Sequence, residues 1–223
     1  MSNKKVAAIV PALNEEKNVE GVLKVLLEFS IINEVILVDD GSLDKTAEIG
    51  ERLGVKVVKI PETNGKGNAM LQGSKATTAE ILIFFDADLN GLTEKHIFSL
   101  LDPMLKENIA MCVGVRERMF NLPSLIIKID PLLAIGGERA IKRSLIENLS
   151  EKLIKGFSIE VSLNHYCIVN KLLVKHVTLK NLNHITKEKK WGVMTGFTQR
   201  IKMVIQITKM RLFIIFNKKN LNV

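Results

Sequence analysis

Apolar and polar residues are arranged in alternating blocks over the first half of the chain. Short runs rich in Val, Ile, Leu and Phe are typical of strands that are buried on both faces of a parallel sheet. Apolar residues recur at helical spacing between them, as Val19, Val22, Leu23 and Leu26 do. This alternation predicts an α/β fold, with a Rossmann-like, mostly parallel sheet and helices on both faces. The predicted strands are 6–10, 34–38, 55–60, 81–85 and 109–115, and the predicted helices lie near 15–29, 44–53, 66–79 and 94–107.

The second half of the chain has a less regular pattern. "GGERAIKRSLIENLSEKLIKG" (136–156) predicts a helix bounded by glycines, and "FSIEVSLNHYCIV" predicts a second helix. "KLLVKHVTL" predicts a strand, and residues 191–216 again have a helical pattern. With 223 residues and no low-complexity linker, the chain is expected to form a single domain, 1–223.

The predicted strand "ILIFF" (81–85) runs directly into Asp86 and Asp88. Two like charges this close repel each other unless a cation neutralises them, and Mg²⁺ or Mn²⁺ binds well through carboxylates together with substrate phosphates. The alternative is a solvated strand end followed by a turn at "DLNG". We favour the metal hypothesis because three other motifs are expected at the same edge of the sheet.

Those motifs are "PALNEE", "DDGSLD" and "NGKGNA", after the first, second and third strands. In open α/β sheets, ligands bind beyond the carboxyl ends of the strands, so all four motifs should converge there. Asp39 or Asp40 can accept a hydrogen bond from a base or a ribose, although "DGS" also suits a loop and a helix cap. Lys66, between two glycines at a helix start, suits a diphosphate. Asn14 is expected to cap the first helix.

The net charge of +8 is divided unevenly: residues 1–110 carry −5 and residues 111–223 carry +13. A basic second half suggests an anionic acceptor or an anionic surface, and its few aromatic residues argue against nucleic-acid binding. Cys112 and Cys167 match no metal or redox spacing and are expected to be buried thiols. The absence of a signal peptide, and of any apolar run of about 18 residues, predicts a cytoplasmic protein.

The four motifs together resemble the family 2 glycosyltransferases, whose domain has the glycosyltransferase A-type fold. The resemblance is strongest over residues 5–91, through "IVPALNEEKNV", "ILVDDGSLDKT", "NGKGNAM" and "FFDADL". It implies that Asp86 faces the sugar or the nucleotide and that Asp88 binds Mg²⁺ or Mn²⁺. It also implies a nucleotide-sugar-binding half over residues 1–115. The residues implied to hold the nucleotide are Pro11, Ala12, Asn14, Glu15, Asp40 and Lys66.

Residues 116–223 resemble, more loosely, the acceptor-binding half of dolichyl-phosphate mannosyltransferases and glucosyl-3-phosphoglycerate synthases. "IGGERAI" is similar to an acceptor segment and implicates Gly136, Gly137 and Arg139. "GFSIEV" is similar to a segment with a functional glutamate, here Glu160, and "NHITKEKKWG" to one whose histidine completes the metal site, here His184. Surface or structural roles are the alternative for each of these residues.

The resemblance implies a metal-dependent transferase that moves a sugar from a UDP- or GDP-sugar to an anionic acceptor. A polyprenyl phosphate and a small phosphorylated acid both fit the acceptor. In an inverting reaction, Glu160 is the candidate that removes the acceptor's proton. A haloacid dehalogenase-like phosphohydrolase and a non-catalytic nucleotide-sugar binding module are the alternatives. A C-terminal amphipathic helix with "KMRLFIIFNKK" leaves peripheral contact with the inner membrane surface open, as well as a homodimer.

Overall fold

The computed structural model describes residues 4–116, 137–149, 153–154 and 159–184. Its strands are β1 (Val6–Ala12), β2 (Glu34–Asp39), β3 (Lys56–Lys59), β4 (Ile81–Phe84), β5 (Leu89–Asn90), β6 (Met111–Arg116), β7 (Arg139–Lys142), β8 (Val174–Leu179) and β9 (Asn183–His184). Its helices are α1 (Val19–Glu28), α2 (Thr46–Arg52), α3 (Lys66–Lys75), α4 (Glu94–Lys106), α5 (Arg143–Glu147) and α6 (Ile159–Val169).

Seven strands form one sheet in the order β3-β2-β1-β4-β7-β6-β8. β1 pairs in parallel with β2 and β4, and β2 with β3, so four strands end at the same edge. β7 is antiparallel to both of its neighbours, and β6 and β8 then run in the direction of the first four. The predicted mostly parallel sheet is therefore confirmed, with a single reversed strand near its centre.

The sheet is buried on both faces, which explains its unbroken apolar strands. Alternate residues of β1 point to opposite sides: Ala8 and Val10 belong to one apolar cluster, and Ala7 and Ile9 to the other. The first cluster includes residues of α1 and α4, and the second includes residues of α3, α5 and α6. The prediction of helices on both faces is therefore confirmed. Each apolar face of the sheet needs helices packed against it to exclude water.

The predicted helix over 136–156 is wrong in its first part, because 139–142 form strand β7. Arg139 to Lys142 pair with Phe84 to Ile81 on one side, and three of them pair with β6 on the other. Backbone pairing on both sides of this strand outweighs the helical pattern of its side chains. The helix α6 and the strand β8 confirm the next two predictions. The predicted helix over 191–216 lies outside the described residues, and the division of the chain at 115 stays a prediction.

Among the described residues, no helix combines the length and the hydrophobicity that crossing a membrane requires.

Candidate active site

The loops that follow β1 and β2 are joined by reciprocal hydrogen bonds. The Asn14 N–H donates to Ser42 Oγ at 2.9 Å, and Asn14 Oδ1 accepts from the Leu43 N–H at 2.8 Å. The Glu15 N–H donates to Thr46 Oγ1 at 2.8 Å. The prediction that Asn14 caps the first helix is wrong, because α1 begins at Val19 and the amide of Asn14 is used between the loops. Asn14 has φ of 55°, a conformation that asparagine tolerates better than most residues.

Asp40 holds the loop that leads into α3. Its Oδ1 accepts from the Asn64 N–H at 3.0 Å, and its Oδ2 accepts from Thr63 Oγ1 and the Gly65 N–H, both at 2.9 Å. Gly41 allows the close approach, since a Cβ there would lie 3.0 Å from the Thr63 nitrogen and its φ is +81°. Asp40 thus has a structural role that the sequence did not indicate, and the predicted contact with a nucleotide stays a prediction.

Lys66 bridges two carboxylates at the start of α3. Its Nζ lies 2.6 Å from Asp86 Oδ1 and 2.8 Å from Glu160 Oε1. Burial by itself lowers the pKa of Lys66, but attraction to Asp86 and Glu160 and the hydrogen bonds to them outweigh it and raise the pKa. The sequence placed these three residues in three separate motifs, and the structure brings them together as one cluster.

Gly137 lies against this cluster. A Cβ at Gly137 would be 2.6 Å from Asp86 Oδ2 and 3.1 Å from Lys66 Nζ, so only glycine fits without displacing one of them. The predicted acceptor residue Gly137 is therefore at the site, whereas its partner Gly136 lies outside the described residues.

Arg139 is fully buried, with no exposed surface. Its Nη1 donates to the backbone oxygen of Glu160 at 3.4 Å and contacts Met111 Sδ at 3.8 Å. Burial lowers the pKa of the guanidinium, while the nearby Glu160, Glu138 and Asp86 act to raise it. The guanidinium is buried against the backbone of Glu160, and the predicted contact of Arg139 with an acceptor phosphate stays a prediction.

A cavity of about 330 Å³ opens at this edge of the sheet. The expected convergence of the four motifs is therefore present. Gly65, one of the two glycines beside Lys66, also lines the cavity, as do Leu13 and Thr63, which were not singled out from the sequence. The signal for Thr63 is its place directly before the motif "NGKGNA". The predicted residues that line the cavity are Pro11, Ala12, Glu15, Asp40, Lys66, Asp86 and Asp88.

The predicted metal residues Asp88 and His184 are brought near each other by a two-stranded ladder. Leu89, which follows Asp88, pairs with His184 in the antiparallel β5–β9 ladder. The sequence predicted neither of these short strands. In the part of the chain that the structure describes, no group of three or more His, Cys, Asp or Glu side chains could hold a metal ion by itself. In proteins, Mg²⁺ is usually bound through one or two carboxylates together with waters and substrate phosphates.

The model of the family described as "Glycosyl transferase family 2" matches residues 7–176. The chain belongs to this family. Proteins that are similar to it include 4,4'-diaponeurosporenoate glycosyltransferase from Staphylococcus haemolyticus, with 39% identity over 54% of this chain and 37% of that protein. Glucosyl-3-phosphoglycerate synthase from Mycolicibacterium smegmatis is 33% identical over 71% of this chain and 62% of that protein. The chain thus spans less than two thirds of the length of either relative.

The fold is also found among solved structures. Glucosyl-3-phosphoglycerate synthase from Mycobacterium tuberculosis, in complex with Mn²⁺, uridine diphosphate and glucosyl-3-phosphoglycerate, matches with a TM-score of 0.73 and 25% identity. The match covers 92% of this chain and 80% of that one. The predicted A-type fold of family 2 is confirmed. The phosphohydrolase alternative is not supported, because the acidic pair follows the fourth strand of a family 2 domain.

Proposed function

We propose that this chain transfers a sugar from a nucleotide diphosphate sugar to an anionic acceptor. The observation that carries the proposal is the cluster at the cavity, where Lys66 bridges Asp86 and Glu160 and Gly137 lies against Asp86 and Lys66. A fold alone does not fix a function, but family membership together with a complete set of charged groups at the ligand-binding edge favours catalysis over a silent binding module.

The donor is proposed to lie across the loops after β1 and β2 and along the start of α3. Pro11, Ala12, Glu15 and Asp40 line the cavity, and Asp40 also holds residues 63–65 in place through hydrogen bonds. Lys66 supplies the positive charge that a diphosphate needs, at a helix N-terminus that favours anions. Asn14 acts indirectly, by joining the two loops. Because a similar structure contains uridine diphosphate, UDP-glucose is the first donor to test.

Asp88 and His184 are proposed to hold Mg²⁺ or Mn²⁺ together with diphosphate oxygens. These two residues fit the ion: the Asp88 carboxylate lines the cavity, and the backbone of His184 is paired with Leu89, the residue that follows Asp88. One nitrogen and one oxygen ligand leave the remaining positions for a substrate, as expected for an ion that arrives with phosphates. When bound, the ion would stabilise the negative charge that develops on the leaving nucleoside diphosphate.

The acceptor is proposed to enter beside Gly137 and Glu160. Its oxygen forms a bond to the anomeric carbon, while the bond from that carbon to the β-phosphate oxygen breaks and the nucleoside diphosphate leaves with the electron pair. In an inverting reaction, Glu160 takes the proton of the acceptor hydroxyl. Arg139 helps to hold Glu160 in place by donating a hydrogen bond to the backbone oxygen of that residue. A similar structure contains glucosyl-3-phosphoglycerate, which supports a small phosphorylated acid as the acceptor to test first.

The proposal is tested by measuring nucleoside diphosphate release from UDP-glucose with 3-phosphoglycerate as acceptor, with and without Mn²⁺. GDP-mannose and a polyprenyl phosphate are the alternative donor and acceptor. We expect Asp88→Ala to lower turnover at least about 100-fold, since it removes a charged group that acts on the leaving diphosphate. Asp102→Ala is the matched control, because Asp102 pairs with Lys106 on the surface of α4. Absence of release with every pair, or full activity of Asp88→Ala in Mn²⁺, would contradict the proposal.

A further inference from the structure

The segment that follows β8 folds back onto the turn after Asp88. Leu179 and Leu182 are buried in the same apolar cluster as Leu89 and Leu92. The backbone of Asn183 and His184 is paired with Asn90 and Leu89 in the β5–β9 ladder. Two residue pairs make a very short ladder, and isolated two-stranded pairings of any kind are only marginally stable. Other contacts must therefore fix the position of residues 180–184.

His96 makes such a contact across 84 residues of sequence. It is buried, with 8% of its surface exposed, and its Nε2 lies 2.8 Å from the backbone oxygen of Lys180. Its Nδ1 lies 3.1 Å from the backbone nitrogen of Thr93, whose N–H can only donate. Nδ1 is thus the acceptor, so in the neutral ring the proton is on Nε2 and is donated to Lys180. A single imidazole caps α4 and holds the start of the 180–184 segment.

Gly91 makes a second close contact with the same segment. A Cβ at Gly91 would lie 2.9 Å from the backbone oxygen of Asn181, and its φ is +81°. Residues 180–184 are therefore contacted at two points, by the ring of His96 in the first turn of α4 and by the backbone of Gly91 in the turn before that helix.

We propose that His96 is a positioning residue that holds residues 180–184, and with them His184, against the Asp88 turn. This inference rests on the proposed metal role of Asp88 and His184. Residues that orient metal ligands through hydrogen bonds typically change metal affinity about 10- to 100-fold when they are lost. His96 acts one step further away, through the backbone that carries His184, so the lower end of this range is expected.

Two substitutions separate the capping of α4 from the hydrogen bond that His96 makes to Lys180. Glu and Gln are both common at the third helical position, where their side-chain oxygen accepts a hydrogen bond from the backbone N–H of the N-cap residue. In this helix that N–H belongs to Thr93 and now donates to His96 Nδ1. His96→Glu keeps an acceptor for Thr93 but has no proton for the Lys180 oxygen, whereas His96→Gln has both an acceptor and a donor. His176→Glu is the matched control, because His176 is exposed on β8.

The experiment measures amide hydrogen exchange of the full chain and calorimetric binding of Mn²⁺ in the presence of uridine diphosphate. We expect His96→Glu to speed exchange at residues 180–184 about tenfold, with little change in α4, and to weaken Mn²⁺ binding about tenfold. His96→Gln and His176→Glu should remain within about threefold of the wild type in both measurements, a range well below the effect of a lost supporting residue.

Unchanged amide exchange at residues 180–184 in His96→Glu would overturn the proposal that His96 holds this segment in place. Faster exchange with unchanged Mn²⁺ affinity would overturn the positioning role and leave His96 with a purely structural one. A wild-type chain that binds uridine diphosphate but no Mn²⁺ would overturn the proposed metal site itself, and this outcome is visible without any variant.

Discussion

The Nζ of Lys66 lies 2.6 Å from Oδ1 of Asp86, at the point where α3 begins and β4 has just ended. Glu160 reaches the same nitrogen from α6, so one cation compensates two carboxylates. A diphosphate that enters the cavity must share Lys66 with both acids. Donor binding is therefore expected to weaken the hold of Lys66 on Glu160, the residue proposed to act on the acceptor.

Replacement of Lys66 by methionine removes the shared cation and keeps most of the side-chain volume. We expect Lys66→Met to lower the free energy of unfolding by about 1–2 kcal/mol, allowing for solvent screening of a side chain that is one-third exposed. It should also weaken binding of uridine diphosphate at least about tenfold. Urea unfolding and calorimetry measure the two effects. Lys59→Met is the control, because its pair with Glu51 is on the surface; equal losses in both variants would contradict the prediction.

The contacts of Lys66 with Asp86 and Glu160 also predict how the free energy of unfolding depends on pH. The pKa of Lys66 is raised in the folded chain by Asp86 and Glu160, despite the opposing effect of burial. A raised pKa contributes stability that is complete below the unfolded pKa of about 10.4 and is lost as the pH rises towards the folded value. The stability difference between wild type and Lys66→Met should thus be constant from about pH 6 to 9 and shrink above about pH 10.4. A difference that grows with pH would contradict this assignment.

Gly137 should not tolerate a side chain. In Gly137→Ala the new methyl group would meet the Asp86 carboxylate and the Lys66 amine, so one of them must move. We expect donor turnover to fall at least about tenfold, because moving a group that acts in the reaction by about 1 Å strongly lowers the reaction rate. Gly21→Ala is the matched control: a Cβ at this position of α1 meets nothing within 4 Å. That variant should gain about 0.5–1 kcal/mol of stability with unchanged turnover.

The three hydrogen bonds of Asp40 can be separated by two substitutions. Asp40→Ala removes all three and leaves the backbone N–H groups of Asn64 and Gly65 without this acceptor. Thr63→Val removes only the hydroxyl bond. We expect losses of about 2–4 kcal/mol for Asp40→Ala and about 1 kcal/mol for Thr63→Val, measured by urea unfolding. Uridine diphosphate binding should be weakened mainly by Asp40→Ala. Similar losses of stability in both variants would show that the carboxylate is not the main support of the loop.

The two cysteines should be unreactive in the folded chain. Burial raises the pKa of the Cys112 thiol to about 12 and that of Cys167 to about 11. At pH 8 both thiols are neutral, and a neutral thiol is a poor nucleophile. Ellman's reagent should react with neither within minutes under native conditions and with both in urea. Because both raised pKa values favour the protonated form, stability should fall as the pH rises above the ordinary thiol value of about 8.5. Rapid labelling at pH 8 without urea would contradict the prediction.

The first half of the fold was predictable because each of its elements has a local signal. The buried strands β1, β2 and β4 are continuous apolar runs, and α1 and α4 carry clear apolar stripes. The convergence of Asp40, Lys66 and Asp86 at one edge followed from parallel topology alone. Their direct contacts did not, since hydrogen bonds such as Asp40 to Gly65 depend on the path of a loop.

The second half was less predictable because its elements depend on distant partners. Residues 139–142 have helix-forming neighbours, yet they form β7 because β4 and β6 provide backbone partners on both sides. The burial of Arg139 follows from that strand and could not be deduced from a helix. β5 and β9 have two residues each and no pattern of their own. His96 has the appearance of an ordinary residue in the first turn of a helix, since its partner Lys180 is 84 positions away.

The position of β7 also bears on how the chain acquires its shape as it leaves the ribosome. β6 is made before β7, yet it joins β4 only through β7, so the completed sheet cannot grow in the order of synthesis. A nascent chain that ends near residue 116 has β1 to β4 available to associate, while β6 has no neighbour among them. The strand that joins the two parts arrives later, and Gly137 and Glu160 arrive on either side of it. The emerging polypeptide therefore carries Lys66 and Asp86 without Glu160 for part of its synthesis, and the charged cluster at the cavity is completed only after β7 has been made.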